Sequence, residues 1–163
     1  MIRTYIALGS NLDNPLAQVR QAIEELARLP GSRMLAASSL YRSPPMGPAD
    51  QPDYINAVVA LETALSAHSL LDALQAIEQA HGRVRGPQRW GPRSLDLDVL
   101  LYGREIINDQ RLTIPHPGIA ERAFVLFPLQ EIVAADFVIP GNDSLSALLA
   151  RVAADRPERL CDE

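Results

Sequence analysis

The sequence predicts an α+β fold in which an antiparallel sheet packs against helices on one face. Segments of alternating apolar residues, typical of strands, are interspersed with two segments whose apolar residues recur every three or four positions, as in amphipathic helices. The chain has 163 residues, the length of one domain, and can bury a full core. We therefore expect a single domain over residues 1–163, with a polar tail from about residue 155.

The first half of the chain predicts one helix among three strands. Residues 3–8 alternate like a strand, and Asn14 followed by Pro15 is typical of a cap and a first helical residue. The helix should end at Pro30 and Gly31. Residues 33–43 and 54–61 predict two further strands, which suit an antiparallel pair joined by the rigid proline-rich loop 44–52.

The second half predicts a helix and a final strand, followed by additions to the core. Ser66 should cap a helix that stops at Gly82, and the last strand should end at Tyr102. The resulting order is strand, helix, strand, strand, helix, strand, which is the ferredoxin-like motif. C-terminal elaborations include a short helix starting near Phe124 and another over residues 144–153.

Composition excludes several classes of function. The formal net charge of −5 and the pI near 5.2 argue against broad nucleic-acid or membrane binding. Cys161 is the only cysteine, so a disulfide framework and a cysteine zinc cluster are excluded. No lysine is present, which excludes a Walker-type phosphate loop and Schiff-base chemistry. We expect a cytoplasmic protein with no nucleic-acid and no membrane partner.

Residues 83–98 combine four arginines with two aspartates. Because Asp96 and Asp98 alternate with leucines, a strand would place both carboxylates on one face, with Cα atoms about 7 Å apart. At that separation the two charges repel by about 2.4 kcal/mol at an effective dielectric of about 20. Bound Mg²⁺ would convert this repulsion into coordination, and the arginines would hold phosphate oxygens. The alternative is a solvated loop leading into an edge strand with an acidic outer face.

Other candidate residues also have structural interpretations. The turn at residues 9–11 resembles a phosphate loop only weakly, and a structural turn is the better interpretation. Residues alone would make Gln75 and Glu78 solvated, Tyr54 and Phe124 core, and His68 and His81 surface or capping residues at helix ends. His116 lies between two prolines, which fix its imidazole, and its functional and structural roles are equally supported.

Six motifs together resemble one enzyme family. They are IALGSN at residues 6–11, YRSPP at 41–45, QPDYIN at 51–56, GRVR at 82–85, RWGPRSLDLD at 89–98 and IPHP at 114–117. The set resembles the 6-hydroxymethyl-7,8-dihydropterin pyrophosphokinases of folate biosynthesis over nearly the whole chain, and the RWGPRSLDLD run is highly specific. The resemblance implies transfer of pyrophosphate from ATP to the pterin hydroxymethyl group, with release of AMP.

The resemblance also implies roles for individual residues. Asp96 and Asp98 would hold two Mg²⁺ ions bridging the ATP phosphates, while Arg83 and Arg93 contact phosphates and act in catalysis. The ATP side would comprise Gln75, Glu78, Arg85, Arg89, Trp90, Arg93, Arg111, Thr113, His116 and Arg122. The pterin pocket would comprise Ser43, Pro44, Pro45, Met46, Tyr54, Asn56, Trp90 and Phe124. Trp90 would belong to a loop that closes over both substrates.

The chain departs from the family pattern at two places. Gly86 and Pro87 lack a basic residue that some relatives carry in the arginine loop, and Pro117 cannot make the contact of an aromatic side chain.

Two alternative functions remain beside the pyrophosphokinase hypothesis: a metal-dependent nucleotidyltransferase or nuclease, and a non-catalytic ligand-sensing domain. AMP release from ATP with and without the pterin would separate them. We expect a monomer, and no general base is evident.

Overall fold

The computed structural model describes residues 1–12, 14–44, 52–82 and 95–160. Its strands are β1 (Ile2–Ser10), β2 (Ser32–Ala37), β3 (Tyr41–Ser43), β4 (Tyr54–Thr63), β5 (Asp96–Tyr102), β6 (Ile107–Asn108), β7 (Thr113–Ile114) and β8 (Glu158–Arg159). Its helices are α1 (Pro15–Ala27), α2 (Ala67–Ala80), α3 (Ala123–Gln130) and α4 (Leu145–Arg151). The predicted core order is confirmed, because β1, α1, β2 with β3, β4, α2 and β5 follow one another as expected.

The main sheet has six strands, and every pairing that the structure describes in it is antiparallel. Its order is β5-β1-β4-β3-β8, with β2 pairing alongside β3 on the same edge of β4. The predicted single strand over residues 33–43 is therefore wrong in one respect, because it is divided in two. Ser38 lies at the break, where its hydroxyl oxygen accepts the Val58 N–H at 2.9 Å and takes over a main-chain acceptor's role in the ladder.

Both faces of the sheet carry helices. One apolar core forms beneath α1 and α2, with Leu26, Leu70 and Leu74 fully buried. The prediction that the core helices share one face is confirmed, because α1 and α2 cover this first core. A second core forms where the C-terminal helices α3 and α4 pack on the opposite face. The reason is the composition of α3, which is apolar on almost every side and must be enclosed.

The helix caps test several predictions of local structure. Ser66 caps α2 through its hydroxyl oxygen, as predicted, and Ser144 caps α4 in the same way. Pro15 opens α1, but Asn14 makes no side-chain cap and has a left-handed backbone with φ of 64°. No helix in the described ranges is long and apolar enough to cross a membrane.

The two helix-end histidines have different environments. His68 is exposed and pairs with Asp109 at 2.7 Å, as expected for a surface residue. The side chain of His81 is only 3% exposed and bonds Gln18 and Glu25 of α1, the latter at 2.5 Å. His81 is the C-cap residue of α2, so its interpretation as a capping residue is confirmed, whereas its interpretation as a surface residue is wrong. Its ring instead joins the end of α2 to α1.

Candidate active site

The predicted metal and pterin residues share one face of the sheet. Asp96 pairs with Gly9 across β5 and β1, and Gly9 pairs with Asn56 across β1 and β4. Register partners in a sheet project to the same side, so these positions form a row. Two strand spacings separate Asp96 from Asn56, which is about 10 Å between Cα atoms. Asp98 lies one pair further along the same face, opposite Ala7.

The two aspartates alternate with buried residues as the sequence predicts. Leu97 and Val99 lie in the core beneath α1 and α2, whereas the Asp98 side chain is 48% exposed on the opposite face. Among the described residues, no three or more histidine, cysteine or acidic side chains form a metal cage. A pair of carboxylates at an open face fits Mg²⁺, which binds one or two carboxylates and completes its octahedron with water and substrate phosphates.

Glu78 lies beneath the aspartate strand. Glu78 lies in the last turn of α2 and is only 3% exposed. Its Oε2 accepts the Leu97 N–H at 2.8 Å. The interpretation of Glu78 as a solvated helix residue is therefore wrong. Because Leu97 stands between Asp96 and Asp98, this buried carboxylate holds the main chain that carries both of them.

His116 lies next to β5, beside Asp98. Its main-chain N–H donates to the Leu100 carbonyl at 3.0 Å, and its ring Nδ1 accepts the Gly118 N–H at 3.1 Å. The ring proton therefore resides on Nε2, which lies 3.9 Å from an Asp98 oxygen. Burial lowers the pKa of His116, and Arg122 lowers it further against the opposing effect of Asp98. The imidazole is consequently neutral at pH 7.

Two residues predicted for the ATP side meet at α2. A guanidinium nitrogen of Arg111 lies 2.6 Å from an oxygen of Asp72 and 3.4 Å from the amide oxygen of Gln75. Thr113 opens β7 and pairs with Asn108 in the small hairpin that carries Arg111. Sequence reasoning missed Asp72, although its position three residues before Gln75 places both on one face of α2.

Arg122 and Phe124 are neighbours at the start of α3. The guanidinium carbon lies 5.9 Å from the centre of the Phe124 ring. The same guanidinium packs against Gly118. A Cβ added there would lie 2.5 Å from Nε of Arg122, so only glycine leaves space for the guanidinium at this position. Phe124 is half-buried against the second core rather than enclosed in it. A predicted ATP residue and a predicted pterin residue therefore touch.

The polar side of the predicted pterin pocket is preorganised. Ser43 donates its hydroxyl proton to Oδ1 of Asn56 at 2.6 Å, and both residues are buried. The Nδ2 of Asn56 is directed toward Gly9, where an added Cβ would lie 3.2 Å away. Tyr54, half-buried, is the register partner of Ser43, and Pro44 is exposed at the start of the proline loop.

The turn after β1 has a structural role. Asn11 is buried and donates from Nδ2 to the Pro52 carbonyl at 3.1 Å, which joins this turn to the end of the proline loop. The structural interpretation of residues 9–11 is supported by this bond. The remaining predicted site residues lie outside the described residues: Pro45, Met46, Arg83, Arg85, Arg89, Trp90 and Arg93. So do Gly86 and Pro87, whereas Pro117 is exposed next to His116.

The chain is similar to known proteins in both sequence and structure. Residues 5–134 match the model of the 7,8-dihydro-6-hydroxymethylpterin-pyrophosphokinase family. A Haemophilus influenzae 2-amino-4-hydroxy-6-hydroxymethyldihydropteridine pyrophosphokinase is 51% identical over 153 residues, covering 94% of each chain. Its Pseudomonas aeruginosa namesake is 50% identical over 158 residues, covering 97% of this chain and 96% of the relative.

The structural match extends to much more distant sequences. A crystal structure of wild-type Plasmodium falciparum HPPK-DHPS with pteroate superposes with a TM-score of 0.73 at 13% identity, over 99% of this chain. This chain spans about half the length of that protein, because 48% of it is covered. At such low identity the similarity supports the shared α+β fold alone.

Proposed function

Because the chain belongs to the 7,8-dihydro-6-hydroxymethylpterin-pyrophosphokinase family, we propose that its reaction takes place on the sheet face that carries Asp96, Asp98 and Asn56. The enzyme is a diphosphotransferase of folate biosynthesis, which moves pyrophosphate from ATP to the hydroxymethyl group of 6-hydroxymethyl-7,8-dihydropterin and releases AMP. The observation that carries the location is the row from Asp96 through Gly9 to Asn56. It sets the Cα atoms of Asp96 and Asn56 about 10 Å apart, a span that suits a phosphate chain next to a flat ring.

Asp96 and Asp98 are the residues that would hold Mg²⁺, with which this family uses ATP. We infer that these two carboxylates would hold two ions together with the ATP phosphates. When bound, the metal would neutralise charge on the phosphates. The residues themselves contribute rigidity, because Leu97 and Val99 anchor the strand in the core and Glu78 fixes its main chain. Preorganised charge of this kind costs no reorganisation when the reaction occurs.

The ATP side is supported by several described contacts. Arg111, in the β6–β7 hairpin, contacts Gln75 of α2. Arg122 lies close to His116. Guanidinium groups such as those of Arg111 and Arg122 suit recognition of phosphate or ribose oxygens. From the family resemblance we assign the same side to Glu78, Thr113, Arg83, Arg85, Arg89, Trp90 and Arg93.

The pterin side rests on Asn56 and its neighbours. Because the Ser43 hydroxyl bonds the amide oxygen of Asn56, the amide presents its Nδ2 in one orientation. Phe124 and Tyr54 offer aromatic faces on which a flat heteroaromatic ring can stack. The family resemblance adds Ser43, Pro44, Pro45, Met46 and Trp90 to this pocket.

The chemistry requires one bond to form at phosphorus and one to break there, with loss of the hydroxyl proton. The hydroxymethyl oxygen of the pterin bonds to the β-phosphorus of ATP, and the bond between that phosphorus and the α,β-bridging oxygen breaks as AMP leaves. The hydroxyl proton passes to a phosphate oxygen or to water. Both nitrogens of His116 are committed, since Nδ1 accepts the Gly118 N–H and Nε2 carries a proton, so His116 is not a general base in this arrangement. Positioning and charge neutralisation therefore account for the rate enhancement.

Phosphorus NMR tests this proposal directly. Purified enzyme with ATP, Mg²⁺ and 6-hydroxymethyl-7,8-dihydropterin should give AMP and a pterin diphosphate in equal amounts, and no AMP without the pterin. ADP as the main nucleotide product would overturn the attack at the β-phosphorus. AMP formed without the pterin would favour a nucleotidyltransferase or nuclease instead. We also infer one domain that acts as a monomer in the cytoplasm, where ATP is available.

A further inference from the structure

A carboxylate next to the end of α3 contacts three groups at the edge of the sheet formed by β3 and β8. Glu131 directly follows α3, and its Oε1 accepts the Ser39 N–H at 2.9 Å. Its Oε2 accepts the hydroxyl proton of Tyr41 and lies 3.9 Å from Nε of Arg159. Sequence reasoning assigned no role to any of these four residues. They join β3, β8 and α3 at one point.

The Tyr41–Glu131 bond persists across the physiological pH range. Burial and the bond to Glu131 raise the pKa of Tyr41 to about 12, so the phenol stays protonated. Burial tends to raise the pKa of Glu131, but the bonds from Tyr41 and Ser39 and the charge of Arg159 outweigh it, and the pKa lies below its ordinary value. The interaction is therefore a hydrogen bond from a neutral phenol to a carboxylate.

This bond adjoins the polar side of the proposed pterin pocket. Tyr41 is the register partner of Asn56, and two residues further along β3 the Ser43 hydroxyl bonds the Asn56 amide. β3 is only three residues long, and its outer neighbour β8 has two. A strand with so few ladder bonds depends on side-chain contacts for its position.

We propose that Tyr41 and Glu131 are positioning residues for the pterin: by bonding β3 to the end of α3, they keep Ser43 in place and with it the orientation of the Asn56 amide. The proposal rests on the proposed function, because it assigns Asn56 to the pterin. Loss of the bond should let β3 shift, so that Asn56 loses its fixed donor. ATP contacts on the opposite side of the site, at Arg111 and Arg122, should be preserved.

A pair of tyrosine variants separates positioning from stability. Tyr41→Phe removes only the hydroxyl that bonds Glu131, and Tyr102→Phe removes one that bonds the Leu65 carbonyl at 2.5 Å on the α1 and α2 side of the sheet. Both tyrosines are 6% exposed. The two variants should therefore lose similar amounts of thermal stability. Calorimetry with a nonhydrolysable ATP analogue, followed by the pterin, then measures each ligand's Kd.

We expect Tyr41→Phe to raise the pterin Kd by about 5- to 10-fold, the loss of roughly one hydrogen bond, and to change the ATP-analogue Kd by less than about 2-fold. Tyr102→Phe should change neither. The side-chain amide NMR signals of Asn56 should shift in Tyr41→Phe and not in Tyr102→Phe. Glu131→Gln, which keeps an acceptor for the Ser39 N–H, should weaken pterin binding less than Glu131→Ala.

Two outcomes would overturn the inference. Unchanged pterin affinity in Tyr41→Phe, with a stability loss equal to that of Tyr102→Phe, would make the bond merely structural. Equal losses for both ligands would mean that the whole site loosens. Failure of the proposed function is distinguishable, because in that case the wild-type protein would bind no pterin or form no pterin diphosphate.

Discussion

Replacing Glu78 with alanine should destabilise the protein through the strand that carries the two aspartates. The residue is 3% exposed, and its Oε2 accepts the Leu97 N–H at 2.8 Å. A hydrogen bond to a charged group contributes about 1.5 to 3 kcal/mol, and an orphaned buried N–H costs about 1 to 3 kcal/mol. These contributions overlap, so we expect Glu78→Ala to lower the free energy of unfolding by about 2 to 4 kcal/mol.

Glu78→Gln is the matched control, because its amide oxygen can still accept the Leu97 N–H. It should lose less than half as much stability as the alanine variant. Urea unfolding, followed by far-UV circular dichroism, gives both values, provided that the dependence of free energy on urea concentration is unchanged between variants. Equal losses in the two variants, or a loss below about 1 kcal/mol in Glu78→Ala, would refute a hydrogen bond that holds β5.

The functional effect should follow the same order. Since Leu97 lies between Asp96 and Asp98, a relaxed strand would separate the carboxylates from their working positions. Turnover should therefore fall in Glu78→Ala and recover largely in Glu78→Gln, measured as AMP formation at saturating Mg²⁺. An alanine variant with wild-type turnover would show that the aspartates keep their geometry without Glu78.

Three further predictions concern other parts of the molecule. Asp98→Ala should keep the fold, since this side chain is half exposed, and cut AMP formation by several orders of magnitude; turnover within tenfold of wild type would remove it from the metal site. Asn56→Ala should weaken pterin binding by about 1 to 3 kcal/mol with little change for ATP, and equal losses by calorimetry would relocate the pocket. The folded-state pKa of Tyr41, about 12, lies above its ordinary value of 10.0, so its stabilisation is present below pH 10 and is lost as the pH rises toward 12. Wild-type melting temperature should therefore fall more than that of Tyr41→Phe over this interval, and parallel decreases would contradict the bond to Glu131.

Local patterns were sufficient for the elements and for one part of the site. Period-two and period-3.6 spacing depends only on neighbours along the chain, and it predicted β1, β4, β5, α1 and α2 to within a few residues. Ser66 was predictable as a cap because it bonds an N–H three residues ahead. The alternation of Asp96 and Asp98 likewise assigned both to one face. The six motifs led to the family, which the comparisons then established.

The sequence by itself therefore determined the order of elements, the acidic pair and the family, whereas the tertiary structure decided which distant groups meet. Glu78 bonds a residue 19 positions away, His81 one 56 away and Tyr41 one 90 away. No periodicity encodes such pairs, because they arise only when helices dock on a sheet and bring buried polar groups within bonding distance. The burial of His81, the break at Ser38 and the covering of the second face by α3 follow from that docking.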